Sequence, residues 1–432
     1  MLASSPIPTS SIGRARWASV VRSLVLLAVF LSQLESQGTP QEQAALFLRA
    51  NDRFAFDLLK TAHGESPDRN IVVAPLPVSL TFAALRDGGV RDDQSIEELC
   101  SAFHWDRSAA LQAAGKTILA RFQRPKPAAS PRSTLPNRPE TELERYLRSG
   151  KPEEVWLSAA FLYRTAGSLS PEFIRKVTDD FGFPFRAVGE HTPQSEVFAK
   201  DWDASLPVPK IIGHNDFWIT SFTHLRTSWA GNTIAGGREK RDFQLRAGGV
   251  VQADFLGTED SGYPYARTAD FEAVVLTCWK ATILLVLPSS NNNIGQLEAA
   301  IASKPDVVEG LLAVREGVVC FPPFHFSFEA DLRSSIETMG PHRIFRLSGT
   351  LSPMVPRMGA VLRGVAQKTE ITVDENGIRA DAGTIVHGVY GGIHGIQDPF
   401  HMTLDRPFLF FVRDRETKAL LFEGAVMNPA LQ

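Results

Sequence analysis

The chain is poor in cysteine, with three residues, Cys100, Cys278 and Cys320, among 432. So few thiols exclude a disulfide-framed scaffold and allow one bridge at most. Their wide spacing makes no metal-ligand pattern, and free buried thiols are the expected state. Charge of one sign is missing as well. Lys and Arg total 45 against 48 Asp and Glu, a formal net charge of −3, so no global field favours nucleic acid or an anionic membrane. No apolar run reaches the ~20 residues needed to span a bilayer. G-x-S-x-G, H-E-x-x-H, P-loop and G-x-G-x-x-G motifs are all absent. No nucleophile–base pair presents itself, so the chain is not expected to be an enzyme or to use a cofactor. His387, His394 and His401 are evenly spaced, but in an extended, glycine-rich segment without a supporting thiol or carboxylate cluster. No metal site is expected there.

What is present is an ordinary globular composition, 44 % hydrophobic and 22 % charged. At ~150 residues per domain the length suggests two or three domains. Residues 1–38 read differently. Arg14, Arg16 and Arg22 precede the apolar stretch Leu24–Leu31, and small and polar residues follow to Gly38. That is the build of a secretory signal peptide. It predicts a mature chain of 39–432, secreted (or periplasmic in a bacterium) and off the membrane once the signal is cleaved.

Beyond it, Leu46, Phe47, Phe54, Leu58 and Leu59 recur at helical intervals over Gln41–Thr61. Val72–Val73 is a short strand signal, and prolines at 75 and 77 open a helix over Val78–Leu85. Ser95–Phe103 and Ala109–Phe122 also read as helices. Residues 124–139 are proline-rich and polar, the texture of a loop insertion. The cations around it (Arg121, Arg124, Lys126, Arg132) suit a sulfated polysaccharide, and equally a solvated loop. After residue 150, Val155–Tyr163, Phe217–Leu225, Phe271–Trp279, Ile283–Pro288 and Val318–Phe328 read as strands, with helices near Pro171–Phe181 and Asp331–Met339. Early helices followed by many strands predict an α+β fold.

Residues 374–406 differ from the rest of the chain, with six glycines between Gly377 and Gly395. A long connection of this kind inside a compact domain is usually functional. It hides a strand's alternation. Ile378, Ala380, Ala382, Thr384 and Val386 share one face, small or apolar. Arg379, Asp381, Gly383, Ile385 and His387 share the other. Two readings follow, an edge strand leading into a flexible loop, or a loop that can become a strand.

At this point the chain resembles the serpin family. ANDRFAFDLLK (50–60) is similar to the family's first helix, and NIVVAPLPVSLTFAAL (70–85) to its first strand and second helix. Trp202 with Lys210–Ile211, then Trp229, FPPFHF (321–326), the DL, MG and IF pairs within 331–345, and LS (351–352) follow in family order. DRPFLFFVRDRETKALLFEGAVMNP (405–429) closes the match. The resemblance implies one domain of three sheets and eight or nine helices, with 374–406 as an exposed reactive-centre loop. It implies a monomer that traps a serine or cysteine protease as a suicide substrate, the cleaved loop entering the main sheet as a new strand. A non-inhibitory binding or carrier protein is the alternative.

The family's hinge maps onto Gly377, Ile378, Arg379, Ala380, Asp381, Ala382, Gly383 and Thr384. Ile378 replaces a small hydroxyl residue, and Asp381 interrupts a run of alanines. In the sheet-opening region, Ala74 and Pro77 stand where serines are usual, Gln367 for a histidine and Ser221 for an asparagine; Trp229 is retained. Counting from the hinge and from Pro407 gives different cleavage positions, so Tyr390, Gly391, Gly392 and Ile396 all remain candidates. No Lys or Arg lies between Arg379 and Arg406. A chymotrypsin- or elastase-like target therefore fits better than a trypsin-like one, whose acidic pocket needs a cation.

Overall fold

The computed structural model describes residues 38–123, 153–163, 169–187, 216–230, 234–258, 260–289, 294–347, 349–354, 361–379 and 399–431. In chain order they form α1 (Pro40–Glu65), β1 (Ile71–Val73), α2 (Pro75–Gly88), α3 (Asp93–Ala102), α4 (Leu111–Arg121), β2 (Glu154–Tyr163), α5 (Pro171–Phe181), β3 (Phe185–Ala187) and β4 (Asp216–Ser228). Next come β5 (Ile234–Gln244), β6 (Val250–Thr258), β7 (Ser261–Arg267), β8 (Phe271–Thr277), β9 (Ala281–Pro288), α6 (Ile294–Ser303), β10 (Ala313–Phe321) and β11 (Phe324–Asp331). The chain closes with α7 (Arg333–Thr338), α8 (Arg343–Arg346), β12 (Val361–Asp374), β13 (Gly377–Arg379), β14 (Phe400–Thr403), β15 (Phe408–Asp414) and β16 (Leu420–Val426).

Local chemistry sets the helix ends. Thr39 accepts from the Glu42 N–H at 3.2 Å while the Glu42 carboxylate accepts from the Thr39 N–H at 2.6 Å. This reciprocal cap, with proline next, satisfies donors that the first turn of α1 leaves open. Phe47, Phe54, Leu58 and Leu59 point inward as their spacing predicts, whereas Leu46 is exposed. In α2 every residue from Pro75 to Leu85 is buried. Phe103, just past α3, stacks on Phe54 at 4.3 Å and Phe82 at 4.7 Å, binding α1 and α2 to the end of α3.

The strands divide into a six-stranded sheet, ordered β11-β12-β13-β4-β2-β3, and a ten-stranded one. Within the larger sheet β10 is a seam. Its residues 313–317 pair with β7, and 317–321 pair with β14 and β6. It thus joins a β1-β16-β15-β9-β8-β7 sheet to a β14-β10-β6-β5 sheet, which makes three sheets in an α+β fold. The single strand expected over Val318–Phe328 is two strands. Pro322 and Pro323 have no N–H to donate, so the ladder stops and the chain leaves one sheet for another. Strands β5 to β7 and helix α6 were not anticipated from the sequence.

One charged cluster sits in the core. Asp52 of α1 pairs with Arg413 of β15 at 2.9 Å, and Arg413 also holds Glu309 at 2.7 Å. Close by, Glu423 of β16 is wholly buried and neither carboxylate oxygen has a partner. Burial pushes its carboxyl well above the usual range, and the Asp52 charge adds to this. All three cysteines are free; Cys100 and Cys278 are buried, Cys320 only partly. No described helix is long and apolar enough to cross a membrane. The candidate signal 1–38, apart from Gly38, and the insertion 124–139 lie outside the described residues.

Candidate functional site

In the six-stranded sheet, β12 and β4 run parallel and are laddered from Val361↔Asp216 to Gln367↔Ser221. Beyond that pair they part. At their far ends β13 stands between them, antiparallel to both. On β12 its pairs are Thr372↔Arg379, Val373↔Ile378 and Asp374↔Gly377, and on β4 they are Gly377↔Ser228, Ile378↔Thr227 and Arg379↔Arg226. Between the two zones, over residues 368–371 and 222–225, β12 and β4 are not laddered to each other among the described residues.

The turn that feeds β13 is compact. The Asp374 carboxylate accepts from the Asn376 N–H at 2.8 Å, closing an Asx turn over Glu375–Asn376. Gly377 has φ +136, and a Cβ there would meet the Thr227 carbonyl oxygen at 2.1 Å. Only glycine suits that backbone and that approach. Ile378 follows and is completely buried, while Arg379 turns to the other face and pairs with Asp374. The alternation read from the sequence holds for these two positions. Burial and the facing Arg226 both lower the Arg379 pKa, so the Asp374 contact offsets a like-charge juxtaposition.

Three further contacts pin the turn. Trp229 donates its indole N–H to the Asp374 carbonyl at 2.8 Å and lies edge-on to Phe321. Arg238 of β5 pairs with Glu375 at 3.0 Å. Beneath β13, the Cys278 thiol is raised by burial and by Glu153, against a lowering hydrogen bond with the Ile378 backbone.

About 23 Å down β12, at ~3.3 Å per residue, lies a second fastening. Gln367 accepts from the Ala74 N–H at 2.8 Å, and its amide donates to the Ala74 carbonyl at 2.8 Å and to Ser221 Oγ at 3.2 Å. One side chain thus ties β12, β4 and the head of α2 together where the parallel ladder ends. Of the five residues assigned to sheet opening, Ala74, Ser221 and Gln367 meet in this clamp. Trp229 stands apart from it, against the β12–β13 turn. Pro77 is buried inside α2, where its carbonyl accepts from Thr81 Oγ1 at 3.0 Å.

Ala380, Asp381, Ala382, Gly383 and Thr384, together with Tyr390, Gly391, Gly392 and Ile396, lie outside the described residues. Sequence reasoning missed Asp374, Glu375 and Arg238; the D-E-N-G turn signal was visible, but not the partners it would find. Among the described residues no group of three or more His, Cys, Asp or Glu is placed to hold a metal. The described site combines a strand end seated in a sheet, a turn pinned on three sides, and a clamp where the β12–β4 ladder ends.

The six-stranded sheet is parted at one end, and the strand seated there, β13, opens a glycine-rich stretch of sequence. The family model Serpin (serine protease inhibitor) matches residues 49–429, and the chain belongs to the serpin family. Rat serine protease inhibitor A3N is 22 % identical over 430 residues, covering 91 % of each chain. Barley Serpin-Z7 is 27 % identical over 206 residues and Iripin-3 of Ixodes ricinus 28 % over 229; there the chain spans about half of its relatives, 49 % and 55 % of their lengths. The solved structure of human thyroxine-binding globulin complexed with thyroxine superposes with a TM-score of 0.71 at 18 % identity, over 91 % of this chain and all of that one. Protease nexin-1 with heparin gives 0.69 at 18 %, over 90 % of this chain and all of that one. Serpins are mostly protease inhibitors, and some, such as thyroxine-binding globulin, are not.

Proposed function

We propose that this protein is a secreted, monomeric protease inhibitor that acts as a suicide substrate, with residues 1–38 removed as an export signal. The carrying observation is β13, already hydrogen-bonded on both sides at the mouth of the parted sheet. Continued in the same register, Ala380 falls between Leu225 and Ile371, and Ala382 between Thr223 and Thr369, all four of them buried. Small side chains suit that face. Asp381 and Gly383 fall on the opposite face with Arg379, where a charge is tolerated. Ala380–Gly383 match in length the stretch over which β12 and β4 are parted. Further entry then requires the Gln367 clamp to open. Cleavage in the loop frees the strand to continue, and the new backbone hydrogen bonds drive it.

The target lacks a trypsin-like preference, since the loop offers no Lys or Arg between Arg379 and Arg406. Tyr390 is the favoured cleavage residue, with Gly391, Gly392 and Ile396 as alternatives. A non-inhibitory binding protein is the second reading, favoured by Ile378, whose burial and bulk hold the hinge in place. Incubation with chymotrypsin, elastase and subtilisin separates the two. A protease–protein band that survives denaturing electrophoresis supports trapping. Cleavage that leaves no such band but raises Tm sharply retains insertion and rejects trapping. Cleavage with neither effect sinks the mechanism.

A further inference from the structure

A cleft of ≈ 610 Å³ opens between α1 and the segment leading into α4, away from the hinge. That size suits a drug-sized molecule. Phe47, Ala50, Trp105, Leu111 and Ala114 line it and are themselves buried, making an apolar floor. Arg49 and Arg53, both exposed, stand on its rim. They are four residues apart on α1 and therefore one above the other on the same face, about 6 Å apart along the axis. Neither has an ion-pair partner among the described residues. Like charges at this spacing weaken a helix unless an anion lies between them.

The other polar groups of the lining are largely engaged. His104 pairs with Asp57 at 2.8 Å, and Asp106 accepts from the Ser108 N–H at 2.8 Å. One is not: the Trp105 indole N–H is buried and has no acceptor. His104, which precedes it, lies in the left-handed region at φ +55. An apolar floor and two unneutralised cations thus converge on one concavity, with the Trp105 indole N–H buried beneath its surface.

From this convergence we infer that the α1–α4 cleft binds an amphipathic organic anion, a flat apolar body carrying one carboxylate or sulfonate. The body lies on Phe47 and Trp105, and the anionic group bridges Arg49 and Arg53. Inorganic sulfate matches the rim but not the floor. A sulfated saccharide supplies charge without an apolar body.

The test is fluorescence titration of the full-length protein with 1-anilinonaphthalene-8-sulfonate, confirmed by calorimetry. The expected result is one saturable site. Binding weakens at least tenfold in Arg49→Gln/Arg53→Gln, is largely kept in Arg49→Lys/Arg53→Lys, and is blocked by Ala110→Trp at the cleft mouth. Sodium sulfate at equal ionic strength does not displace the probe, and the uncharged 2-naphthalenemethanol binds at least tenfold more weakly. Probe affinity that ignores the Arg→Gln pair overturns the proposal. So does a heparin tetrasaccharide that binds through these arginines while the naphthalene probe does not. The Arg positions are exposed and their variants should fold; a Tm within 2 °C of the parent, roughly the shift of ≲ 1 kcal/mol in a domain this size, checks this directly.

Discussion

Trp229 and Asp374 are 145 residues apart and meet through one hydrogen bond, indole N–H to main-chain carbonyl, 2.8 Å long. The bond joins the end of β4 to the end of β12 over the head of β13. Under the proposed function, it spans the mouth through which an inserted strand would pass. Replacing Trp229 by Phe keeps an aromatic edge against Phe321 and removes the donor. The expected loss is about 1 kcal/mol of stability, with faster hydrogen exchange at the Ile378 amide than at core amides of β15.

Gly377→Ala tests the seating of β13 itself. A methyl group 2.1 Å from the Thr227 carbonyl oxygen at φ +136 cannot be accommodated where the strand lies. The strand end should leave the sheet, at about 1–3 kcal/mol. Limited proteolysis with subtilisin should then cut the loop roughly tenfold faster. An unchanged rate would mean that β13 does not restrain the loop.

Gln367→Leu removes the clamp and leaves both polar groups of Ala74 without their partner in a buried setting. The cost should be about 2 kcal/mol or more, since stranded buried donors and acceptors lose their full hydration. Because the clamp resists parting of β12 and β4, the half-life of the native state at 45 °C should shorten as well, measured by unfolding kinetics.

The buried carboxyls predict an unusual dependence on pH. Burial raises Glu423 well above its ordinary value, and raises Asp52 to about 6 in spite of Arg413. In both, the folded protein holds a proton that the unfolded chain has released, so stability is fully present at acid pH and falls as pH rises through the folded pKa. For Asp52 the window runs from its ordinary 3.8 to about 6. Glu423 extends the decline upward. The groups that act on it are Asp52 and Asp57 of α1, Glu298 of α6 and Arg413 of β15. Glu423→Gln should raise Tm more at pH 8 than at pH 5; an equal rise at both would show that Glu423 does not titrate in this way.

Parts of this were readable from residue order and parts were not. Helix α5 runs Pro171–Phe181 as predicted, because Ser170 caps it, proline opens it and Gly182 ends it at φ +66. Those signals are local. β5 escaped because two glycines and the charged run 238–242 interrupt any apolar alternation. At the site, the in–out alternation of Ile378 and Arg379 was legible in the chain. The seat between β12 and β4 was not, since it depends on a register between strands more than 140 residues apart. In the sequence, Ala74 reads as the loss of a usual serine, and Ser221 and Gln367 as polar partners kept in altered form. Together they form a working contact, because one glutamine reaches a backbone and a hydroxyl that the shorter neighbours leave within range.

Seating three residues in the sheet also withdraws about 10 Å of chain, at ~3.3 Å per residue, from the loop between Arg379 and Phe400. A partner that grips the loop in its full extension must first draw those residues out. It would peel them in sequence, Arg379 before Ile378 before Gly377. Its apparent affinity is then its intrinsic affinity multiplied by the fraction of molecules already unseated, about tenfold lower for each 1.4 kcal/mol that favours the seat. Under the proposed function, the root of the loop would act as a selectivity filter upstream of any side-chain preference, passing only partners that bind strongly enough to unseat it or that work on the shorter tether.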